Sequence, residues 1–247
     1  MKRNVVFLLA CMFAMASALP VSAGNTKTLK DVLGRYFLVG AAMNVDQIWN
    51  RTPDETNVVK NNFNSIVAEN CMKGEEIHPE ENRFFWDDAD RFVKFGQDNG
   101  LAIIGHCLVW HSQPPVWMFT DERGDTVSRD VLIDRMHRHI SAVVGRYKGR
   151  ILGWDVVNEI FNDDGTFRNS PYYRIIGPEF VELAFKFAHE ADPNAELYIN
   201  DYSLAKPAKR DAVCRIVREL KSKGYRVDGI GTVSYTHLRA HETVLDL

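Results

Sequence analysis

The chain has 247 residues, 45% of them hydrophobic and 26% charged, with a formal net charge of −3. That balance excludes an intrinsically disordered chain, and the length bounds the protein at one or two domains. No basic block stands out, which argues against a nucleic-acid partner.

The opening residues read as a targeting segment. Lys2 and Arg3 form a positive start, an apolar run follows from Val5 to Leu19, and Val21-Ser22-Ala23 is a small-residue cleavage site. The run is too short and wrongly flanked for a lasting membrane span. Leu8-Leu9-Ala10-Cys11 resembles a lipoprotein box but has few apolar residues before the cysteine, so residues 1–23 are expected to be a secretory signal peptide. The product is then secreted or periplasmic, with anchoring at the cell surface the less favoured reading. Three cysteines follow the leader, Cys71, Cys107 and Cys214. An odd number makes no disulfide framework, so they are expected to be small buried hydrophobes.

Short apolar runs then alternate with amphipathic segments. Residues 37–42 predict a strand, and Pro53 and Asp54 start a helix towards Asn62. Residues 63–70 predict the next strand. In 86–100 the spacing of Ala89, Phe92, Val93 and Phe95 predicts a helix stopped by Gly100, and 101–106 a third strand. From Ser128, a plausible cap, to Tyr147 a stripe of Val131, Leu132, Met136, Ile140, Val143 and Val144 predicts a long helix. Residues 151–159 predict a fourth strand, 179–190 a helix, 196–201 a fifth strand, 207–223 a helix and 227–232 a sixth strand. Strands alternating with helices imply parallel strands and crossover helices. An open doubly wound sheet and a closed (β/α)8 barrel both fit. No glycine-rich phosphate loop follows the first strand, which weakens the dinucleotide-binding version of the former.

Polar residues collect at the carboxyl ends of these strands: Glu69-Asn70, His106, Asn158-Glu159 and Asn200-Asp201. In barrels that rim builds active sites. Lys73, Trp110, His111 and Gln113 crowd the same ends, with Trp154 near another. Hydrogen-bonding groups beside flat aromatics suit a polyhydroxylated ligand. Metal is the weaker alternative. His106 and His111 are five apart, no HExxH is present, and the first strand ends in Ala41, Ala42, Met43 and Asn44 without a His pair. No cofactor is expected.

The stretches FNSIVAENCMK, GHCLVWHSQ and WDVVNE resemble three signatures of family 10 glycoside hydrolases, the retaining endo-β-1,4-xylanases; LYINDY and DGIG resemble that family's fifth and sixth strands. The likeness runs from about Leu38 to Thr232. It implies a (β/α)8 barrel, here incomplete, with about six strands and five helices. It also implies a xylan or xylo-oligosaccharide substrate and a protein that is monomeric when complete. By this resemblance Glu159 is the general acid/base. Asn158 bonds the 2-hydroxyl of the sugar being cleaved. Glu69, Asn70 and Lys73 hold sugars on the non-reducing side, and His106, Trp110 and Gln113 line the cleaved sugar. Tyr202 falls on the leaving-group side. Glycoside cleavage with retention uses a second carboxylate about 5–5.5 Å from the first. A negative neighbour and partial burial would raise the pKa of Glu159 in an intact site.

That second carboxylate, a glutamate at the end of the family's seventh strand, finds no match. Residues 24–232 read as a partial catalytic domain and 233–247, VSYTHLRAHETVLDL, as a tail unlike the family. Val233 and Tyr235 stand where the family has a glutamine and a histidine. Glu242 lies ten residues after Thr232, too few for a crossover helix with its loops, so Glu242 and His237 are expected to be decoys. A barrel lacking two strands should leave open edges on the first and sixth, and this polypeptide is expected to fold poorly and be inactive. Two other functions fit the residues: a barrel that binds xylan without cutting it, and another β-glycanase such as a mannanase or glucanase.

Overall fold

A computed structural model describes residues 27–233. In chain order the elements are α1 (Leu29–Leu33), β1 (Gly40–Met43), α2 (Val45–Ile48), α3 (Pro53–Asn62), β2 (Ser65–Ala68), α4 (Gly74–Ile77), α5 (Asp87–Asp98), β3 (Ala102–Trp110), a 3-10 turn (Val116–Met118), α6 (Arg129–Arg146), β4 (Gly153–Asn158), α7 (Pro171–Ile176), α8 (Phe180–Ala191), β5 (Glu196–Tyr202), α9 (Pro207–Ser222) and β6 (Gly229–Val233). The six strands form one sheet in the order β1-β2-β3-β4-β5-β6, each neighbouring pair parallel. Helices α3, α5, α6, α8 and α9 are the crossovers that parallel pairing requires. Among the described residues β1 pairs only with β2 and β6 only with β5, as expected of an incomplete barrel.

The core lies between the sheet and the helices on its outer face. All six residues of β4 are buried, the pattern of a parallel strand covered on both sides. Leu132, Met136, Ile140, Val143 and Val144 bury one face of α6, which packs on Val181, Ala184, Phe185 and Ala188 of α8. The Ser128 hydroxyl accepts from the Val131 N–H and caps α6, but the Val131 side chain is 41% exposed and leaves the predicted stripe. Gly100 (φ +63°) ends α5 in the left-handed conformation that glycine adopts without strain.

Several boundaries differ from expectation. The first strand begins at Gly40, because Phe37 and Leu38 are exposed and precede the ladder. The third continues to Trp110, past a register shift between His106 and Val109. The sixth takes in Val233, paired with Tyr202, one residue beyond the limit drawn at Thr232. Trp154, weighed as a sugar platform, is 1% exposed and packs in the core beside Gly105. Cys71 and Cys107 are buried and unpaired as expected, whereas Cys214 is only half-buried. The predicted leader, residues 1–23, and Tyr235, His237 and Glu242 lie outside the described residues. Among the described residues no helix is long and apolar enough to cross a membrane.

Candidate active site

Register brings the rim together. Trp110 of β3 stands opposite Asn158 of β4, and Asn158 opposite Asn200 of β5, so three polar or aromatic side chains share one level at the carboxyl edge. Asn158 is 2% exposed, and its Oδ1 accepts from Asn200 Nδ2 at 2.8 Å, which fixes the orientation of the amide.

Glu159 is the residue at which β4 stops. Its φ is +55°, a left-handed backbone that costs a residue with a side chain about 1–2 kcal/mol. Three contacts hold it there. The Glu159 N–H donates to the Asn200 carbonyl at 2.8 Å. The Glu159 carbonyl accepts from Arg168 Nε at 2.9 Å. The carboxylate Oε2 accepts from the Trp110 indole Nε1 at 3.0 Å. The carboxyl is thus aimed at Trp110 and half-buried beside it.

The expected partners from β2 and β3 form a second cluster joined to the first. Lys73, 9% exposed, donates through Nζ to Asn70 Oδ1 at 2.8 Å and to Gln113 Oε1 at 2.9 Å. The same ammonium lies 4.9 Å from the centre of the Trp110 ring, within cation–π range. Gln113 also has a left-handed backbone (φ +54°) and donates through Nε2 to Glu75. Glu69 ends β2 with its side chain exposed, its backbone N–H bound to the Met43 carbonyl. His106 is bonded through Nδ1 to Asp155 Oδ2 at 2.8 Å, which orients the ring. The structure therefore links Lys73, Asn70, Gln113, Trp110 and Glu159 in one chain of contacts, with His106 close to the Trp110 ring.

Some residues in the support of this site were not assigned a part from the sequence. Asp155 lies within WDVVNE, 49 residues from His106, and nothing local marks the pair. Asn200 is a rim residue by its place in the sequence, but only the structure pairs it with Asn158. Asp201 and Lys209, both 0% exposed, form an ion pair at 2.8 Å beneath the β5 end. The Lys209 ammonium also lies 3.5 Å from the Tyr202 ring centre. Tyr202, expected on the leaving-group side, accepts from Arg168 Nη2 at 2.9 Å. His111 packs edge-on to Trp110, and burial, then the Arg168 and Lys209 charges, push its pKa down to about 4. At neutral pH its ring is uncharged. Burial raises the Cys71 thiol to about 12 and Cys107 well above its ordinary value, so neither is a ready nucleophile. No group of His, Cys, Asp and Glu side chains among the described residues is placed to hold a metal ion.

A parallel βα sheet whose carboxyl rim carries a carboxyl held by an indole, an oriented amide and an ammonium is part of a (β/α)8 barrel. Comparison with known proteins agrees. The model of glycosyl hydrolase family 10 matches residues 28–245. Endo-1,4-beta-xylanase A of Xylanibacter ruminicola is 58% identical over 225 residues, which cover 91% of this chain and 61% of that protein. Endo-1,4-beta-xylanase A of Thermotoga maritima is 44% identical, over 82% of this chain and 20% of its own length. Among solved structures, xylanase XynB from Paenibacillus barcinonensis complexed with a conduramine derivative superimposes with a TM-score of 0.80 at 40% identity, covering 85% of this chain and 63% of that one. The chain belongs to glycosyl hydrolase family 10. It spans about three-fifths of the Xylanibacter relative and a fifth of the Thermotoga one, and the family match runs past Thr232 so that Glu242 falls within it.

Proposed function

We propose that this chain carries the acid/base half of a retaining endo-1,4-β-xylanase active site. Glu159 donates a proton to the leaving oxygen of an internal β-1,4-xylosidic bond and later activates the water that releases the product. The observation that carries the reading is the Trp110–Glu159 hydrogen bond at 3.0 Å, made beside an amide whose orientation Asn200 fixes. An indole donor steadies the carboxylate between proton transfers, and an oriented Asn158 can strengthen its bond to a sugar 2-hydroxyl as charge develops. Glu69, Asn70 and Lys73 offer charged and amide groups for the hydroxyls of sugars on the non-reducing side, and Gln113, Trp110 and His106, the last oriented by Asp155, line the sugar being cleaved.

The attacking carboxylate is the missing part of this proposal. Asp155 is engaged by His106 and Asp201 by Lys209, so neither is available to attack. Glu242 follows Thr232 too closely for a crossover, and we take it not to be the nucleophile despite its place inside the family match. On this reading cleavage needs a second carboxylate other than Asp155 and Asp201, and without one no sugar is released from xylan. Export follows from Lys2-Arg3, the apolar run and Val21-Ser22-Ala23.

Reducing-sugar release from xylan tests each step. This polypeptide should release none, and one extended with a seventh and eighth βα unit from the Xylanibacter relative should hydrolyse it. Glu159→Gln in the extended protein should lower kcat by about 10²–10⁴-fold, the usual worth of a positioned acid/base. An unchanged rate in that variant refutes the role of Glu159. Release by the short form that is lost in Glu242→Gln refutes the crossover argument.

A further inference from the structure

The backbone of Glu159 is held from a direction that the chemistry does not require. β4 ends at Asn158, so the Glu159 carbonyl has no place in the sheet ladder. It accepts instead from the side chain of Arg168. Arg168 reaches it because residues 161–167 fold into a tight hairpin. Phe161 and Phe167 form an isolated antiparallel bridge, the Asn162 N–H donates to Thr166 O, and the Arg168 N–H donates to Ile160 O at 2.8 Å. Gly165 sits at its tip with φ +81°, so close to the Ala208 carbonyl that a Cβ would stand 2.6 Å from it. The hairpin is therefore seated on the start of α9, and the position of Arg168 is set by the body of the fold.

The guanidinium is a fork with two tines in use. Nε holds the Glu159 carbonyl, and Nη2 holds the Tyr202 hydroxyl at the end of β5. The Tyr202 ring is fixed in turn by the Lys209 ammonium above it and by the buried Lys209–Asp201 pair. The second anchor is thus as immobile as the first. Arginine supplies such planar, divided bonding, and a lysine ammonium does not. Relaxed to a negative φ, residue 159 would swing its Cβ, and with it the carboxyl, away from the Trp110 indole.

We infer that Arg168 is a positioning residue for Glu159: its guanidinium clamps the Glu159 carbonyl to the Tyr202 hydroxyl and so holds the left-handed backbone that presents the carboxyl to Trp110. The inference rests on the reading of Glu159 as proton donor only for its consequence in catalysis; the clamp itself is a matter of geometry.

The Trp110 indole N–H reports that geometry directly, without turnover. In the ¹⁵N–¹H spectrum of the protein extended with the seventh and eighth βα units, at neutral pH, the Trp110 indole signal, assigned with Trp110→Phe, should move in Glu159→Gln. It should move in Arg168→Ala as well, and less far in Tyr202→Phe. The Trp117 indole, which donates to the His78 carbonyl, should stay in place and so reports an intact fold. Ethylguanidinium added to Arg168→Ala should return the Trp110 signal, and ethylammonium should not. A Trp110 signal unmoved in Arg168→Ala, or returned equally by ethylammonium, overturns the clamp. Should Arg168→Ala unfold, as loss of the Trp117 signal would reveal, Arg168→Lys decides: a displaced Trp110 signal with Trp117 in place upholds the clamp, and an undisplaced one overturns it. A Trp110 signal indifferent to Glu159→Gln overturns it too, because the contact being positioned would be absent. Loss of the proton-donor role shows separately, as an unchanged kcat for Glu159→Gln in the extended enzyme.

Discussion

Replacing Lys209 by methionine should be among the most damaging single changes available to this fold. Lys209 and Asp201 are both 0% exposed and meet at 2.8 Å. Removing the cation leaves a buried carboxylate without its countercharge, a loss of about 3–5 kcal/mol. Asp201 keeps two weaker supports, the Tyr202 N–H at 2.8 Å and the Phe161 N–H at 3.4 Å, which places the loss near the lower end. The ammonium over the Tyr202 ring at 3.5 Å adds about 1–2 kcal/mol for a desolvated cation–π contact. Together these give about 4 kcal/mol. Urea unfolding followed by tryptophan fluorescence should then show a midpoint lowered by about 2 M for a slope of about 2 kcal/mol per molar. The double variant Asp201→Asn/Lys209→Met should recover part of this, because it leaves no buried charge behind and keeps an acceptor for the Tyr202 and Phe161 N–H groups, although the cation–π contact stays lost. A single-variant loss under about 1 kcal/mol, or a double variant as unstable as the two singles combined, would mean the pair is not desolvated as described.

Two further outcomes follow from the core. His78 and His139 face each other through Nδ1 at 3.1 Å, and burial foremost pushes their pKa values down to about 4 and about 3. The unfolded chain takes up protons near pH 6.5 while the folded one does not. Stability should therefore be complete above pH 6.5 and fall as the pH drops towards 4, by up to about 1.4 kcal/mol per unit for each ring. Urea midpoints measured between pH 7 and 4.5 should show a shallower slope in His139→Gln, and an equal slope would remove the pair from the account. In β3, a Cβ at Gly105 would stand 2.1 Å from a ring carbon of Trp154, a side chain 1% exposed with no room to yield. Gly105→Ala should cost about 1–3 kcal/mol by overpacking, visible as a lower melting midpoint and a changed near-ultraviolet tryptophan signal. An unchanged midpoint would show slack between the sheet and its outer helices.

The repeating strands and long helices could be read from the chain because burial imposes a period on them. Phe92 and Val93 on α5, or Met136 and Ile140 on α6, recur at helical spacing and are buried. The helices α2, α4 and α7 are four to six residues long, too short for any period to emerge in the sequence. At the site, residue types at strand ends and the family resemblance pointed to Glu159, Asn158, Lys73 and Trp110, which the structure joins by contact. Their supports were not legible. Asp155 finds His106, and Lys209 finds Asp201, only through the register of neighbouring strands and the return of a helix. Trp154 misled because a tryptophan near a strand end looks the same in sequence whether its ring faces a ligand or the helices outside. Arg168 was hidden in a loop, where a hairpin of glycine and threonine gave no hint of what its guanidinium would reach.

The left-handed turn at Glu159 sets two kinds of selection against each other. Glycine would occupy that backbone without steric penalty, and asparagine with little. Glutamate is thus among the less comfortable residues for position 159 when the polypeptide is judged on persistence alone. The fold tolerates the discomfort through the Asn200 carbonyl, the Arg168 guanidinium and the Trp110 indole, all supplied from elsewhere in the chain. A lineage released from the need to cut sugar would feel no pull to keep that acid, and thermal hardiness would favour its loss.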